Sequence, residues 1–195
     1  MNPLSEARAA AEGASRKERS AVVCSLDLEA AAPLVGALGS AFAHVHSFRL
    51  RHGELRNGTA VPPSADVAVI AHCVDGRTLL LDGDGYYNRL LETLAHRVRG
   101  DVFIVLTDCG AAPAGALCDA HVVDELAVHQ PSVRELAKAG RFLTCAAAPS
   151  DIQATHLSRS HRLDKLIVPK GVRERNLAPT PATKRPGRIG LCPIL

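Results

Sequence analysis

A chain of 195 residues, 47% hydrophobic and 22% charged, can bury one sizeable core and reads as a single soluble domain with irregular ends. Aromatics make up 3% and tryptophan is absent, so the core must come from Leu, Val, Ile and Ala; a surface that stacks RNA bases on aromatic rings is excluded. The net charge of +3 is uneven: from Pro169 onward six cations face the single acid Glu174, a balance of +5 that leaves −2 for residues 1–168, so any basic footprint is expected on the tail and no direct nucleic-acid binding by the folded part.

Residues 1–19 lack an apolar leader pattern and read as a flexible N-terminal segment; no later run is long enough to span a bilayer. "SAVVCSL" (20–26) predicts a first buried strand, followed by an Ala/Leu-rich helix to about Phe42. "HVHSFRLR" (44–51) alternates like an edge strand, and "HGELRNGTAVPPS", with its Asn-Gly and Pro-Pro, predicts a loop. "ADVAVIAHC" (65–73) is a second buried strand. The Asp/Gly-rich "LDGDGYYN" lacks the spacing and terminal Glu of a calcium loop and reads as a turn, with Asp84 near a helix start. That helix, "YYNRLLETLAHRVR", keeps Leu90, Leu91, Leu94 and Val98 on one face.

"GDVFIVLTDCGA" (100–111) places five consecutive apolar residues, Val102 to Leu106, before Thr107, Asp108, Cys109 and Gly110, as in a strand buried on both faces. "CDAHVVDELAVHQPSVRELAKAG" predicts one or two helices broken near Gln130, because a proline disfavours helix in the residue before it. "RFLTCAAAPS" is a last short strand, and "DIQATHLSRSHRLDKLI" a closing helix with Asp151 as its cap. The tail 169–195 has five prolines and is expected to be disordered. Strands and helices alternate, which predicts an α/β domain over 20–168, with a mostly parallel sheet and helices on both faces.

The ends of the strands are where chemistry would sit. Cysteines at 24, 73, 109, 118, 145 and 192 form no C-x-x-C pair and read as reduced thiols of an intracellular, cytosolic or nuclear protein. His44, His46 and His52 have no acidic or cysteine partner at regular spacing and read as solvent-facing, so no metal site is expected. A phosphate loop after the first strand would need glycines and a Lys-Ser/Thr, whereas "SLDLEAAAPL" puts Asp27 and Glu29 at the helix start, where they repel phosphate. His72 and Cys109 each end a buried strand, the arrangement by which caspase-like cysteine hydrolases pair their histidine and thiol. His72 is followed by Cys73 where that family carries glycine, and no oxyanion donors or substrate pocket stand out.

In chain order the segments resemble a Ras-like small GTPase with its motifs erased. "ADVAVIAHCVDGRTLL" resembles the strand and turn before the third helix of those proteins. "IVLTDCGA" stands where they read guanine with Asn-Lys-x-Asp, and Gly110 has no side chain to replace the aspartate. "SVRELAKAGRFLTCAAAP" puts Thr144-Cys145-Ala146-Ala147 where Thr-Ser-Ala-Lys is usual, and the Pro-Pro loop stands where the DxxG strand is expected. From Ala21 to Val168 this pattern is similar to the centromere protein M family, pseudo-GTPases of the inner kinetochore. The resemblance implies a small-GTPase-like fold, no catalytic residues, no nucleotide or other cofactor, and a structural role in kinetochore assembly and chromosome segregation. It also implies a nuclear, centromeric address and protein partners such as centromere proteins I, H and K.

The last four residues, Cys192-Pro193-Ile194-Leu195, fit a C-a-a-X box, with Lys184, Arg185 and Arg188 as basic companions. One lipid plus a basic patch suffices for stable membrane attachment, so prenylation of Cys192 would instead predict a nucleotide-free adaptor on the cytoplasmic face of a membrane. The same tail also reads as a nuclear-import or phosphorylation segment.

Overall fold

The computed structural model describes residues 19–73, 85, 87–98, 101–109 and 112–159. Among these residues five strands, β1 (Ser20–Ser25), β2 (His44–Arg49), β3 (Val67–Cys73), β4 (Val102–Thr107) and β5 (Phe142–Thr144), make one sheet in the order β2-β1-β3-β4-β5. Every pairing is parallel. Parallel neighbours cannot be joined by a tight turn, and here each crossover carries helix. The helices are α1 (Ala32–Leu38), α2 (His52–Asn57), α3 (Asn88–Arg97), α4 (Ala120–His129), α5 (Pro131–Lys138) and α6 (Asp151–Ser158). This is the expected α/β fold, of the Rossmann/P-loop-like class.

Strand side chains alternate between two cores. Ala68 and Ile70 of β3 and Ile104 and Leu106 of β4 face Leu90 and Leu94 of α3, Val123 of α4, and Val133 and Leu136 of α5. On the other face Val69, Ala71, Phe103 and Val105 meet Leu34 and Leu38 of α1 and Leu157 of α6. Sheet residues are buried from both sides, which is why β4 reads as an unbroken apolar run. Each fully buried Leu, Ile or Phe stabilises the fold by about 1.5–3 kcal/mol.

The amino ends of the strands are pinned by polar contacts. Asp66 accepts hydrogen bonds from the Ser20 N–H at 2.8 Å and the Ser20 hydroxyl at 3.0 Å, and this fixes β1 against β3. Arg141 pairs with the almost fully buried Asp101 at 2.6 Å and lays its guanidinium 4.9 Å from the centroid of Phe103. Arg19 donates to the Ser158 carbonyl at 2.9 Å and so joins the start of β1 to the end of α6.

Three expectations are corrected. Residues 52–57, expected as loop, form α2; Leu55 is buried, and Gly58 ends the helix at φ +67° while Thr59 N–H reaches the Glu54 carbonyl at 2.9 Å. The Asn-Gly pair is thus a helix stop, the left-handed cap that glycine fills at least cost. The irregular chain follows only with the Pro-Pro segment. The last helix is capped by Ser150, not Asp151: Ser150 Oγ accepts from Gln153 N–H while Gln153 Oε1 accepts from Ser150 N–H, a capping box that leaves Asp151 in the first turn. Finally, the helix expected to reach Phe42 stops at Leu38, where Gly39 closes it.

Gln130 is the expected break, and Pro131 opens α5. The flexible segment apart from Arg19, the turn at Asp84, the closing helix beyond Arg159 and the tail 169–195 lie outside the described residues.

Candidate functional site at the carboxyl edge of the sheet

In open α/β sheets ligands bind beyond the carboxyl ends of the strands, where strand order reverses. Here that point lies between β1 and β3. The chain leaving β1 turns on itself: the buried Ser25 donates its hydroxyl to the Asp27 carbonyl at 2.7 Å and accepts from the Asp27 N–H at 3.2 Å. Asp27 Oδ1 then accepts from the N–H groups of Glu29 at 2.9 Å and Ala30 at 3.1 Å. In a phosphate loop such amides point at the anion. Here a carboxylate of the chain itself takes that place, and Pro33 removes a further N–H from the first turn of α1.

Beside it, His72 is the last residue but one of β3 and lies opposite Leu106 of β4. Its Nδ1 lies 2.7 Å from the Tyr87 hydroxyl, and the two rings meet edge to face at 5.5 Å. Burial holds His72 below the ordinary imidazole pKa, so the ring is neutral at pH 7. Burial, reinforced by nearby Cys24, raises the Tyr87 hydroxyl. Cys73, the next residue, donates its thiol to Asp108 Oδ2 at 2.9 Å.

The Thr-Asp-Cys segment after β4 folds back onto β5. Asp108 adopts a left-handed φ of +58° and donates its N–H to the Ala146 carbonyl at 2.8 Å. Cys109 directs its thiol at the carbonyls of Leu106, 3.4 Å away, and Cys145, 3.6 Å away. Cys145 points its own thiol at Leu106 O from 3.5 Å. Burial pushes the Cys109 thiol up from its ordinary value and that of Cys145 up to about 11. Both sulfurs are therefore protonated at neutral pH, the state that is poor in nucleophilicity and in metal binding.

At β5, Thr144 Oγ1 accepts from the Asp119 N–H at 2.7 Å. The buried Gln153 of α6 sends one amide nitrogen to the carbonyls of Leu117 at 2.7 Å and Thr144 at 2.8 Å. These bonds tie the loop before α4, the end of β5 and the start of α6 into one sealed corner.

His72 and Cys109 thus stand at the ends of adjacent strands, as expected, yet each is committed elsewhere: a neutral imidazole to tyrosine, a protonated thiol to two carbonyls. His44, His46 and His52 are exposed, and among the described residues no group of three metal-ligating side chains forms. Cys192, its companions Lys184, Arg185 and Arg188, and Gly110 lie outside the described residues, within which no helix is long and apolar enough to cross a membrane. The sequence reading missed Tyr87, the Cys73–Asp108 contact and Gln153. Only Gln153 left a signal, the Ser-x-x-Gln spacing of a capping box.

No protein-family model and no curated protein matches this chain. Its function must be argued from the sheet edge itself.

Proposed function

We propose that this protein is a non-catalytic, small-GTPase-like domain that serves as a structural subunit of a protein assembly, with the inner kinetochore as the assembly its sequence resemblance favours. One observation carries this reading: the sheet edge where a nucleotide would sit is occupied by the chain's own hydrogen bonds. Asp27 caps the amides that would hold phosphate. The Thr107–Cys109 and Thr144–Ala147 segments, which the resemblance aligns with guanine-reading motifs, lie side by side through the Asp108–Ala146 bond. Satisfied groups have nothing to gain from a ligand that must first displace their partners.

The same geometry weighs against a hydrolase, because a neutral His72 bound to Tyr87 is poorly placed to take a proton from Cys109. Centromere proteins I, H and K are the partners this reading expects, with no cofactor.

Calorimetric titration of the purified chain with GTP and magnesium is expected to give no saturable heat; micromolar binding would sink the pseudo-GTPase assignment. An N-terminally tagged chain in dividing cells is expected at paired chromosomal foci, unchanged by Cys109→Ala or Cys192→Ser. Membrane staining abolished by Cys192→Ser would replace the kinetochore reading with the prenylated adaptor.

A further inference from the structure

β2 is the outer strand of the sheet and pairs with β1 alone among the described residues. His44, His46, Ser47 and Arg49 of this strand are exposed, and so are Arg51, His52 and Arg56 just beyond it. From His44 to Arg56 three arginines face one acid, Glu54. On α4 and α5 the exposed cations have partners, Arg134 with Asp124 at 2.9 Å and Lys138 with Glu135 at 3.4 Å. Arg49, Arg51 and Arg56 make no ion pair among the described residues.

An edge strand offers unpaired N–H and C=O groups to any extended chain, and its charge decides which chains are admitted. Positive charge along β2 repels a second copy of the same edge and attracts an acidic one. Val45 and Phe48, half-buried on opposite faces, add an apolar contact above and below the strand. Nucleic acid suits the edge less well: Phe48 is partly covered, which leaves the exposed imidazoles as the rings a base could stack on, whereas an extended peptide can also pair with the backbone of the strand.

We propose that β2 is a docking edge for an acidic, extended segment of a partner protein, which adds a sixth strand to the sheet and sets carboxylates against Arg49 and Arg51. The inference rests on the assembly-subunit reading and gives the contact its chemistry. Its test uses purified protein, so a failed localisation experiment and a failed docking experiment are separate results.

The full chain is titrated, by fluorescence anisotropy, with a labelled peptide of alternating Glu and Val about ten residues long. A second peptide has the same sequence but is N-methylated at every other residue, which keeps the charge and removes the strand-pairing donors. Saturable binding of the first peptide is expected, weakened about tenfold in Arg49→Glu/Arg51→Glu and by added salt, with the N-methylated peptide losing most of its affinity. Absence of binding, equal binding of the two peptides, or an unchanged affinity in the variant overturns the proposal. So does tighter binding of an oligothymidylate of similar length, which would make the edge a phosphate-binding surface. The peptide comparison uses the unaltered chain and does not depend on how the variant folds.

Discussion

The two flanks of the sheet are built on opposite plans. At the β4–β5 flank every polar group described above has an internal partner: Asp101 with Arg141, Thr144 with Asp119, Asp108 with Cys73 and Ala146, and Gln153 across two carbonyls. At the β2 flank the arginines are exposed, and among the described residues no strand pairs with the outer edge. The contrast separates two uses of polar residues. Bonded inside, they fix the chain and close a site; left outside, they remain available to another molecule. Buried hydrogen bonds are costly to break, whereas exposed charges contribute little to folding and much to recognition.

Substitutions at the two flanks should therefore differ in kind. The largest loss is expected from Arg141→Ala, which strands Asp101, 3% exposed, without its guanidinium: about 3–5 kcal/mol of folding stability by urea unfolding. Gln153→Ala removes both carbonyl contacts and half of the capping box, and should cost about 2–3 kcal/mol. A loss below about 0.5 kcal/mol at either site would refute the sealed corner as a source of stability.

Gly58→Ala tests the left-handed stop of α2. A Cβ there would stand 2.8 Å from Arg89 Cδ at a φ of +67°, and the expected cost is about 1 kcal/mol or more. By contrast, Arg49→Gln should change folding stability by no more than a surface substitution does, about 0.5 kcal/mol by urea unfolding. A large loss on that side would mean that β2 is a structural edge after all.

The pH profile sharpens the same comparison at His72. Burial lowers its folded-state pKa from the ordinary 6.5, so the unfolded chain binds the extra proton first as pH falls. Stability is therefore fully present above about pH 6.5 and declines below it. The decline should shrink in His72→Phe, measured by urea midpoints between neutral and mildly acid pH. Cys145 has the opposite sign: its pKa is raised from 9.0 to about 11, so its contribution holds below 9.0 and fades as pH climbs toward 11.

The strands and their parallel arrangement were legible in the sequence, because burial on both faces writes itself as consecutive apolar residues such as Val102–Leu106. The break at Gln130 was legible because Pro131 constrains its neighbour. The short α2 was hidden by the double meaning of Asn-Gly, which suits a turn and a helix stop alike. The absence of a phosphate loop could be read directly from Asp27 and Glu29; that Asp27 turns back to cap the amides follows from the path of the backbone after β1, which no residue pattern encodes. Tyr87 beneath His72 and Cys73 beneath Asp108 are contacts between segments far apart in the chain, and no local pattern announces them. The overall charge balance likewise concealed β2, since a local basic strip disappears within a total of −2 for residues 1–168.

The placement of β1 has a consequence for synthesis. Of the described strands it is the first to leave the ribosome, yet it lies between β2 and β3, and its second neighbour ends only at Cys73. Until then Ala21–Cys24, wholly buried in the finished fold, must remain in water or with a chaperone. Because each parallel pairing also requires a long crossover to close, nascent chains should fold late and slowly, and the hydrophobic run at Ala21–Cys24 is the segment most exposed to aggregation while they wait.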